Sequence, residues 1–240
     1  MPLVRLDKII TDTGLCSRRN AKERVRQGLI TVDGRVVTDP AAKFDPTRTH
    51  IEVEGETIEA PGHIYVMLHK PEGLLSATKD PRKPTVLDLM PPEWKRRGLF
   101  PVGRLDKDTT GFLILTDDGD FAHRVISPKS RIPKLYEAQV EGSATPEDVQ
   151  AFAGGIVLAD GTKCLPARLE CCRDGLVRVE VYEGKYHQVK RMLASRRLPV
   201  QKLCRLQIGD LPLDEQLAPG EYRLLTKEEL EKIYPGFLSK

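Results

Sequence analysis

A short polar segment, residues 103–111, carries the side chains whose types and spacing suggest chemistry. Two glycines bound it, and Arg104, Asp106 and Asp108 occupy alternate positions between them. An almost wholly apolar run over residues 112–116 follows directly, which predicts a strand buried on both faces. A polar loop anchored by such a strand is a frequent location for functional groups. Asp106 is the best single candidate in it.

Other interpretations of the same loop are open. An isolated aspartate after Arg104 and Leu105 is most often a turn or capping residue. The aspartates around it lack the spacing of an EF-hand, so a calcium loop is not supported. The chain also has no phosphate-binding, nucleophile-elbow or dinucleotide-binding glycine motif. The usual cofactor and triad chemistries therefore have no basis here, and we expect neither a cofactor nor a metal site.

The composition narrows the class of protein. Hydrophobic residues make up 40% of the chain and charged residues 30%, as in an ordinary globular protein. The net charge is only +3, so an anionic partner must be met by a local basic patch. The five cysteines are odd in number and lack C-x-x-C spacing, which argues against disulfides and structural zinc. Without a signal peptide or a membrane-length apolar run, the chain is expected to be soluble, cytoplasmic and free of membranes.

The first 37 residues have the pattern of a compact helix–helix–hairpin unit. Helical spacing over residues 3–13 ends at Gly14, and Ser17 is a good N-cap for a second helix over residues 18–27. An Asp-Gly pair between the two apolar runs that follow predicts a tight hairpin. The second helix is basic with only Glu23 as a balancing acid, so we favour a phosphate-binding face over a merely solvated one. The residues expected to bind RNA there are Arg18, Arg19, Lys22 and Arg26.

This first segment resembles an S4 RNA-binding domain. The resemblance covers about 50 residues and is carried by Gly14-Leu15-Cys16-Ser17-Arg18-Arg19 and by Gly28-Leu29-Ile30-Thr31-Val32-Asp33-Gly34. In that family the second helix and the loop after it lie against the phosphates of structured RNA. The resemblance therefore implies a small N-terminal RNA-binding domain of mixed helices and strands.

The remainder of the chain predicts a second, larger domain. Ala60-Pro61-Gly62 reads as a linker, because proline and glycine interrupt both helix and strand. Strands dominate after it, hairpin turns recur, and helices interrupt at irregular intervals, which indicates an α+β fold with a mostly antiparallel sheet and flanking helices. We predict an S4-like domain over 1–59, a linker over 60–63 and a catalytic domain over 64–240. A helix over residues 183–193 is predicted to turn Tyr186 toward the core.

Several motifs in family order resemble the RsuA-type branch of the ribosomal RNA pseudouridine synthases. The central one is Gly103-Arg104-Leu105-Asp106 with Asp108-Thr109-Thr110-Gly111 and the apolar strand. With the S4-like start, the resemblance covers nearly the whole chain. The other motifs are His69-Lys70-Pro71-x-Gly73, Pro84-Thr85-Val86-Leu87, Leu113-x-Leu115-Thr116-Asp117-Asp118-Gly119, Ser127-Pro128, Lys134-x-Tyr136, Glu183-Gly184-x-Tyr186-His187-Gln188-Val189-Lys190-Arg191-Met192 and Leu217-Ala218-Pro219-Gly220-Glu221-Tyr222-Arg223.

The resemblance implies roles for three residues. Asp106 corresponds to the essential carboxylate, acting as a nucleophile or as a base, and both roles stay open. An ionised carboxylate in a dry pocket needs a cationic neighbour, for which Lys190 is the first choice and Arg191 the second. Only one of these two can face Asp106, since adjacent helical residues point about 100° apart. Tyr136 corresponds to the aromatic residue that packs on the target base, although its pattern also fits a core tyrosine.

The resemblance also implies substrate-binding residues. The target uridine must be flipped out of folded RNA to reach the pocket. Arg104 is placed to fill the space that the base leaves, or to hold a phosphate, although it could equally be a surface arginine paired with an acid. His187 and Gln188 are expected to shape the pocket or brace its loop.

We therefore expect a monomeric enzyme that isomerises one uridine of small-subunit ribosomal RNA without a cofactor. Its partner would be the RNA itself or a partly assembled ribosomal subunit. Two alternatives were weighed: a synthase acting on large-subunit RNA, and a non-catalytic RNA-binding protein of ribosome assembly. Intact Asp106, Tyr136 and Lys190 argue against the second.

Overall fold

The structure, a computed structural model, describes residues 3–46, 48–58 and 62–238. The chain divides into two compact units. The first comprises Met1–His63 together with Met90–Leu99, and the second comprises Ile64–Leu89 and Phe100–Lys240. Ala60 and Pro61 of the expected linker lie outside the described residues. The linker and the domain limits given above therefore stay predictions.

The first unit is a small arrangement of helices and short strands around its own core. Four of its strands form an antiparallel sheet in the order β3-β2-β5-β6, and β1 pairs with β4. Leu6, Ile10 and Val25 from the helices pack against Ile30 and Ile51 from the sheet. The elements are β1 (Val4–Arg5), α1 (Leu6–Asp12), α2 (Arg18–Arg26), β2 (Ile30–Val32), β3 (Arg35–Val36), β4 (Lys43–Phe44), β5 (Ile51–Val53), β6 (Glu56–Ile58) and α3 (Pro92–Arg96).

Local chemistry explains the two features predicted for this unit. Ser17 caps α2 by accepting a hydrogen bond from the Asn20 N–H at 3.3 Å. Asp33 and Gly34 both have positive φ, at 48° and 75°, as a type I′ hairpin turn requires. The predicted second helix and hairpin are confirmed.

The second unit is built on a large mixed sheet with helices packed against it. Its main strand order is β11-β12-β10-β13-β9-β7-β15, with β14 added to β13 and β8 added to β9. The elements are β7 (Tyr65–Lys70), a 3₁₀ helix (Val86–Leu89), β8 (Phe100–Val102), β9 (Thr109–Thr116), α4 (Gly119–Ile126), a second 3₁₀ helix (Pro128–Ser130), β10 (Lys134–Val140), α5 (Pro146–Gly154), β11 (Arg168–Arg173), β12 (Leu176–Val181), α6 (Gln188–Ser195), β13 (Val200–Ile208), β14 (Leu211–Pro212), β15 (Tyr222–Leu224) and α7 (Lys227–Ile233).

Two apolar cores support this sheet. One gathers Phe152 of α5 and Met192 of α6 onto β10, β11 and β12. The other gathers Phe121 of α4 and Ile233 of α7 onto β7 and β9. Between them, in the middle of the sheet, lie β9 and β13, which form the one parallel pair among the described strands. The predicted α+β class with a mostly antiparallel sheet is confirmed.

Two local expectations were wrong. The polar loop is shorter than predicted, because β9 already begins at Thr109 and pairs there with β13. The helix predicted over 183–193 begins only at Gln188, so residues before it form an irregular turn. Tyr186 is consequently 75% exposed and does not face the core.

The parallel contact between β9 and β13 predicts a sharp difference between two glycines. A Cβ on Gly111 would lie 2.7 Å from the Arg205 backbone nitrogen and also against the Arg205 carbonyl oxygen, at a φ of +100° that other residues avoid. Gly111→Ala should lower the free energy of unfolding by about 3 kcal/mol or more. Gly119→Ala is the control, because Gly119 has open space around it in α4 and alanine favours helix. Urea denaturation measures both, and equal stability of the two variants would contradict the tight β9–β13 contact.

Candidate active site

The loop that carries Asp106 is fixed on one side by Ser76. The Ser76 hydroxyl accepts from the Leu105 N–H at 3.0 Å and donates to the Leu105 carbonyl at 2.8 Å. Both residues are buried. On the other side the Thr109 N–H donates to the Asp106 carbonyl at 3.1 Å, which closes a turn. The backbone on both sides of the carboxylate is therefore tied down.

Lys70, at the end of β7, is buried beneath the same loop. Its Nζ donates to the carbonyls of Thr109 at 2.9 Å, Pro71 at 3.0 Å and Lys107 at 3.2 Å. All three donors of the ammonium group thus have acceptors. Burial lowers the pKa of Lys70 to about 8, against the opposing attraction of nearby carboxylates that include Asp106. The Lys70 ammonium group thereby links the backbone at Pro71, Lys107 and Thr109 through hydrogen bonds.

The carboxylate of Asp106 meets two cationic or potentially cationic groups. Lys190 Nζ lies 3.3 Å from Asp106 Oδ2, and His187 Nε2 lies 3.3 Å from Oδ1. Lys190 comes from the first turn of α6, and His187 from the residue that precedes that helix. The Asp106 side chain is about one-quarter exposed, so the carboxylate remains open to a substrate.

Lys190 is shared between two carboxylates of the loop. Its Nζ lies only 2.6 Å from Asp108 Oδ1, closer than to Asp106. This hydrogen bond from Lys190 holds the pKa of Asp108 below its usual value. Asp108 is the more exposed of the two carboxylates, with 65% of its side chain accessible. Asp108 was not predicted as a site residue, although its position two residues after Asp106 in the same loop was a usable signal.

Tyr136, on β10, is contacted by Arg205, a buried arginine on the neighbouring strand β13. Arg205 NH1 donates to the Tyr136 hydroxyl at 3.3 Å, and the guanidinium carbon lies 5.8 Å from the ring centroid. Arg205 Nε donates to the Phe112 carbonyl at 2.7 Å, while NH2 is buried without a hydrogen-bond partner in the described part of the chain. Sequence reasoning missed Arg205, because β13 also contains Lys202 and two glutamines, so one further charge in it is no signal of a site.

A pocket of about 60 Å³ brings most of the expected residues together. Its walls come from the loop before β9, from β10, from the turn before α6 and from β13. Thr109 also lines it, with a buried hydroxyl that finds no partner among the described residues. The expected site residues that line the pocket are Arg104, Asp106, Tyr136, His187, Gln188 and Lys190.

Arg191 is paired outside this pocket, whereas Gln188 lines the pocket but makes its hydrogen bonds within the turn before α6. Arg191 forms an ion pair with Asp160 at 2.5 Å, away from Asp106. Gln188 is buried, and its amide donates to Glu183 Oε1 at 2.9 Å while its carbonyl accepts from the Lys185 N–H at 2.9 Å. Its contacts are therefore those of a residue that braces the turn before α6.

The four basic residues of α2 that are expected to bind RNA divide into two pairs, while the fifth, Arg24, lies 3.6 Å from Glu54. Arg18 and Lys22 lie 3.5 and 4.0 Å from the carboxylate of Asp7, which is fully buried. Burial would raise the pKa of Asp7, but the hydrogen bonds from Arg5 and the ion pair with Arg18 hold it below its usual value. Arg19 and Arg26 are exposed to solvent. These two are the cations of the helix that are most available to a phosphate.

Within residues 3–46, 48–58 and 62–238, no group of three or more His, Cys, Asp or Glu side chains could hold a metal ion. None of the helices there has the length and apolar character needed to cross a membrane.

Comparison with known proteins assigns the family. Residues 64–195 match the RNA pseudouridylate synthase family and residues 4–50 match the S4 domain. The chain belongs to the RNA pseudouridylate synthases. Over 96% of its length it is 43% identical to an uncharacterized RNA pseudouridine synthase, YtzG, of Bacillus subtilis, of which 98% is covered. Over the same share it is 41% identical to ribosomal small subunit pseudouridine synthase A of Escherichia coli, covered completely.

A solved structure supports the same assignment. The crystal structure of a pseudouridylate synthase matches 96% of this chain and 99% of its own, with 36% identity and a TM-score of 0.68. The predicted family, with its S4 domain, is confirmed.

The buried Lys70 of this synthase predicts an unusual dependence of stability on pH. Its pKa is about 8 in the folded chain against 10.5 normally, so between these values the unfolded chain binds more protons and stability rises with pH. The free energy of unfolding of the wild type minus that of Lys70→Met should therefore increase by about 2 kcal/mol from pH 7.5 to 9.5, because only the wild type gains stability from this group. Urea titrations at each pH measure it, with Lys129→Met at an exposed position as the control. If this value, wild type minus variant, stays constant or falls as the pH rises, the burial of the Lys70 ammonium group is contradicted.

Proposed function

We propose that this synthase converts one uridine of small-subunit ribosomal RNA to pseudouridine, with Asp106 as the essential carboxylate. One observation carries the proposal. Asp106, Lys190 and Tyr136 line a single pocket of a chain that matches a small subunit synthase over its whole length. The reaction breaks the bond between uracil N1 and C1′ of ribose and forms a bond between C5 and C1′. The proton on C5 is lost and N1 gains one, so the change is an isomerisation.

Asp106 has the surroundings that this reaction needs. Lys190 and His187 hold its carboxylate from two sides at 3.3 Å, which fixes its orientation. Hydrogen bonds at Leu105 and at the Asp106 carbonyl hold the backbone on both sides of the carboxylate. A carboxylate held in this way serves as a nucleophile toward the sugar or the base, or as a base toward a sugar proton.

Tyr136 is the proposed contact of the target base. Its ring lines the pocket, while its hydroxyl is engaged by the buried Arg205. An aromatic ring fixed from behind offers a rigid surface for packing against uracil. Arg104, exposed at the same pocket, is placed to contact the phosphate of the flipped nucleotide or the space that its base leaves.

The first unit is the proposed RNA-docking module. Its basic helix α2 would contact phosphates through Arg19 and Arg26, with Arg18 and Lys22 tied more closely to Asp7. Its proposed extent is residues 1–59, with a linker over 60–63 and the catalytic domain over 64–240. The proposed partner is ribosomal RNA, either naked or in a partly assembled small subunit. We propose further that the enzyme works as a monomer in the cytoplasm.

The two carboxylates that share Lys190 supply a matched test of the chemistry. Asp106→Asn should reduce conversion by about 10³-fold or more, because it removes the proposed reacting group. Asp108→Asn removes the same charge two residues away and should change conversion by less than about tenfold, since its contact to Lys190 is solvent-exposed. Both variants are incubated with small-subunit RNA transcripts and with assembly particles, and pseudouridines are mapped chemically.

The outcomes separate the alternatives. Conversion in large-subunit RNA alone would replace the substrate that we propose. No conversion by wild type in either RNA would favour a non-catalytic RNA-binding protein. Equal activity of Asp106→Asn and wild type would remove Asp106 from its role.

The docking role of α2 predicts a change in the salt dependence of RNA binding. Arg19→Ala with Arg26→Ala should weaken binding and reduce the slope of log K against log salt by about 1.5, because two phosphate contacts are lost. Lys8→Ala with Arg48→Ala is the charge-matched control, since Lys8 and Arg48 lie near Asp12 and Asp45 respectively outside α2. Filter binding over a range of KCl concentrations measures both. An equal loss in the two double variants would mean that only net charge matters.

A further inference from the structure

Tyr186 is an aromatic residue on the surface beside the active site. It is 75% exposed, although a large apolar ring gains by burial. Its ring is stacked on that of His187, with centroids 3.9 Å apart and planes inclined by 16°. His187 lines the pocket and lies 3.3 Å from Asp106. Two stacked rings therefore lead from the carboxylate to the solvent.

The backbone holds Tyr186 in this position. His187 has the left-handed conformation, with φ 46° and ψ 36°, which turns the chain sharply before α6. The Gln188 N–H donates to the Lys185 carbonyl at 3.1 Å and completes the turn. Arg191 NH1 donates to the Tyr186 carbonyl at 3.4 Å, and Arg191 is itself held by Asp160. The ring is thus presented by a braced turn.

Flipping of a nucleotide leaves an unstacked base in the RNA strand, and such a base can stack on an exposed aromatic ring. When a uridine leaves the stack to enter the pocket, the base beside it in the strand loses its stacking partner. Proteins that bind unpaired RNA commonly satisfy such bases with aromatic side chains, and this contact tolerates any base because each has a π-face. One face of Tyr186 is covered by His187, and the exposure of the residue leaves the ring accessible to a base.

We propose that Tyr186 is a stacking platform for the base adjacent to the target uridine in the RNA strand. The ligand is an unpaired nucleobase, and His187 connects its site to the pocket that holds Asp106. This inference rests on the proposed function, since it requires that a uridine be flipped into that pocket.

A double-mutant cycle tests the platform. The target uridine is first mapped with wild-type enzyme, and short RNAs are then made with a normal or an abasic nucleotide on either side of it. On normal RNA, Tyr186→Ala should weaken binding by about tenfold or more, while Tyr186→Phe, which keeps the ring, should bind like wild type. The rate of a single turnover at saturating enzyme should change less than the affinity does. On RNA with the relevant abasic neighbour, wild type and Tyr186→Ala should bind equally.

Each outcome bears on one claim. Failure of wild type to convert any uridine would overturn the proposed function and leave the platform without its ligand. Normal conversion by wild type together with unchanged binding by Tyr186→Ala would overturn the platform alone. An effect of Tyr186→Ala that persists with both abasic RNAs would also overturn it, because the ring would then act on something other than a neighbouring base. Thermal unfolding of each variant checks that the fold is unchanged.

Discussion

The active-site loop depends on one buried cation. A lysine ammonium removed from water is costly unless its donors are satisfied, and Lys70 satisfies all three with backbone carbonyls around the Asp106 loop. Two of those carbonyls, of Pro71 and Lys107, lie outside the strands, and the third belongs to the first residue of β9, so the ammonium group supplies donors where the ladder ends. The ammonium group and these carbonyls therefore satisfy each other's hydrogen-bonding capacity. Because the loop is fixed before any RNA arrives, little ordering is left for the moment of reaction.

The sheet positions the Asp106 loop next to the other residues that line the pocket. Gly111 lets β9 lie directly against β13, and the parallel register sets Arg205 opposite Gly111. Arg205 in turn reaches Tyr136 on the next strand, β10. Asp106 and Tyr136 thus belong to one rigid frame although they are distant in sequence. A change of one methyl group at Gly111 would separate the strands that hold them, which is how a residue without a side chain comes to matter for the site.

The hydrophobic pattern and the order of motifs predicted much of the fold and of the pocket, and what they did not predict has physical causes. The fully apolar run of β9, the Asp33-Gly34 turn and the Ser17 cap are local signals, so those elements were predictable. The meeting of Asp106, Tyr136 and Lys190 at one pocket was predictable only because distant motifs occurred in family order, and their roles there are proposals. Their surroundings were harder to predict: the spacing placed Asp108 in the same loop but not its contact with Lys190, and the contact of Arg205 with Tyr136 arises between two strands distant in sequence. Tyr186 was misplaced because its helical spacing matched the core positions of α6, whereas side chains of Glu183 and Gln188 hold the chain in a turn before that helix begins.

The charges of the site bear on how RNA is held there. Asp106 and Asp108 lie together and share Lys190, so the charge of that lysine is already balanced by carboxylates, whereas Arg104 is an exposed cation at the same pocket. The chain as a whole adds only a net charge of +3. In the proposed docking role of α2, its exposed cations supply attraction to the RNA backbone. In the proposed reaction, aromatic surfaces such as Tyr136 and Tyr186 would hold bases without adding charge, and Asp106 would keep its ionic partners Lys190 and His187.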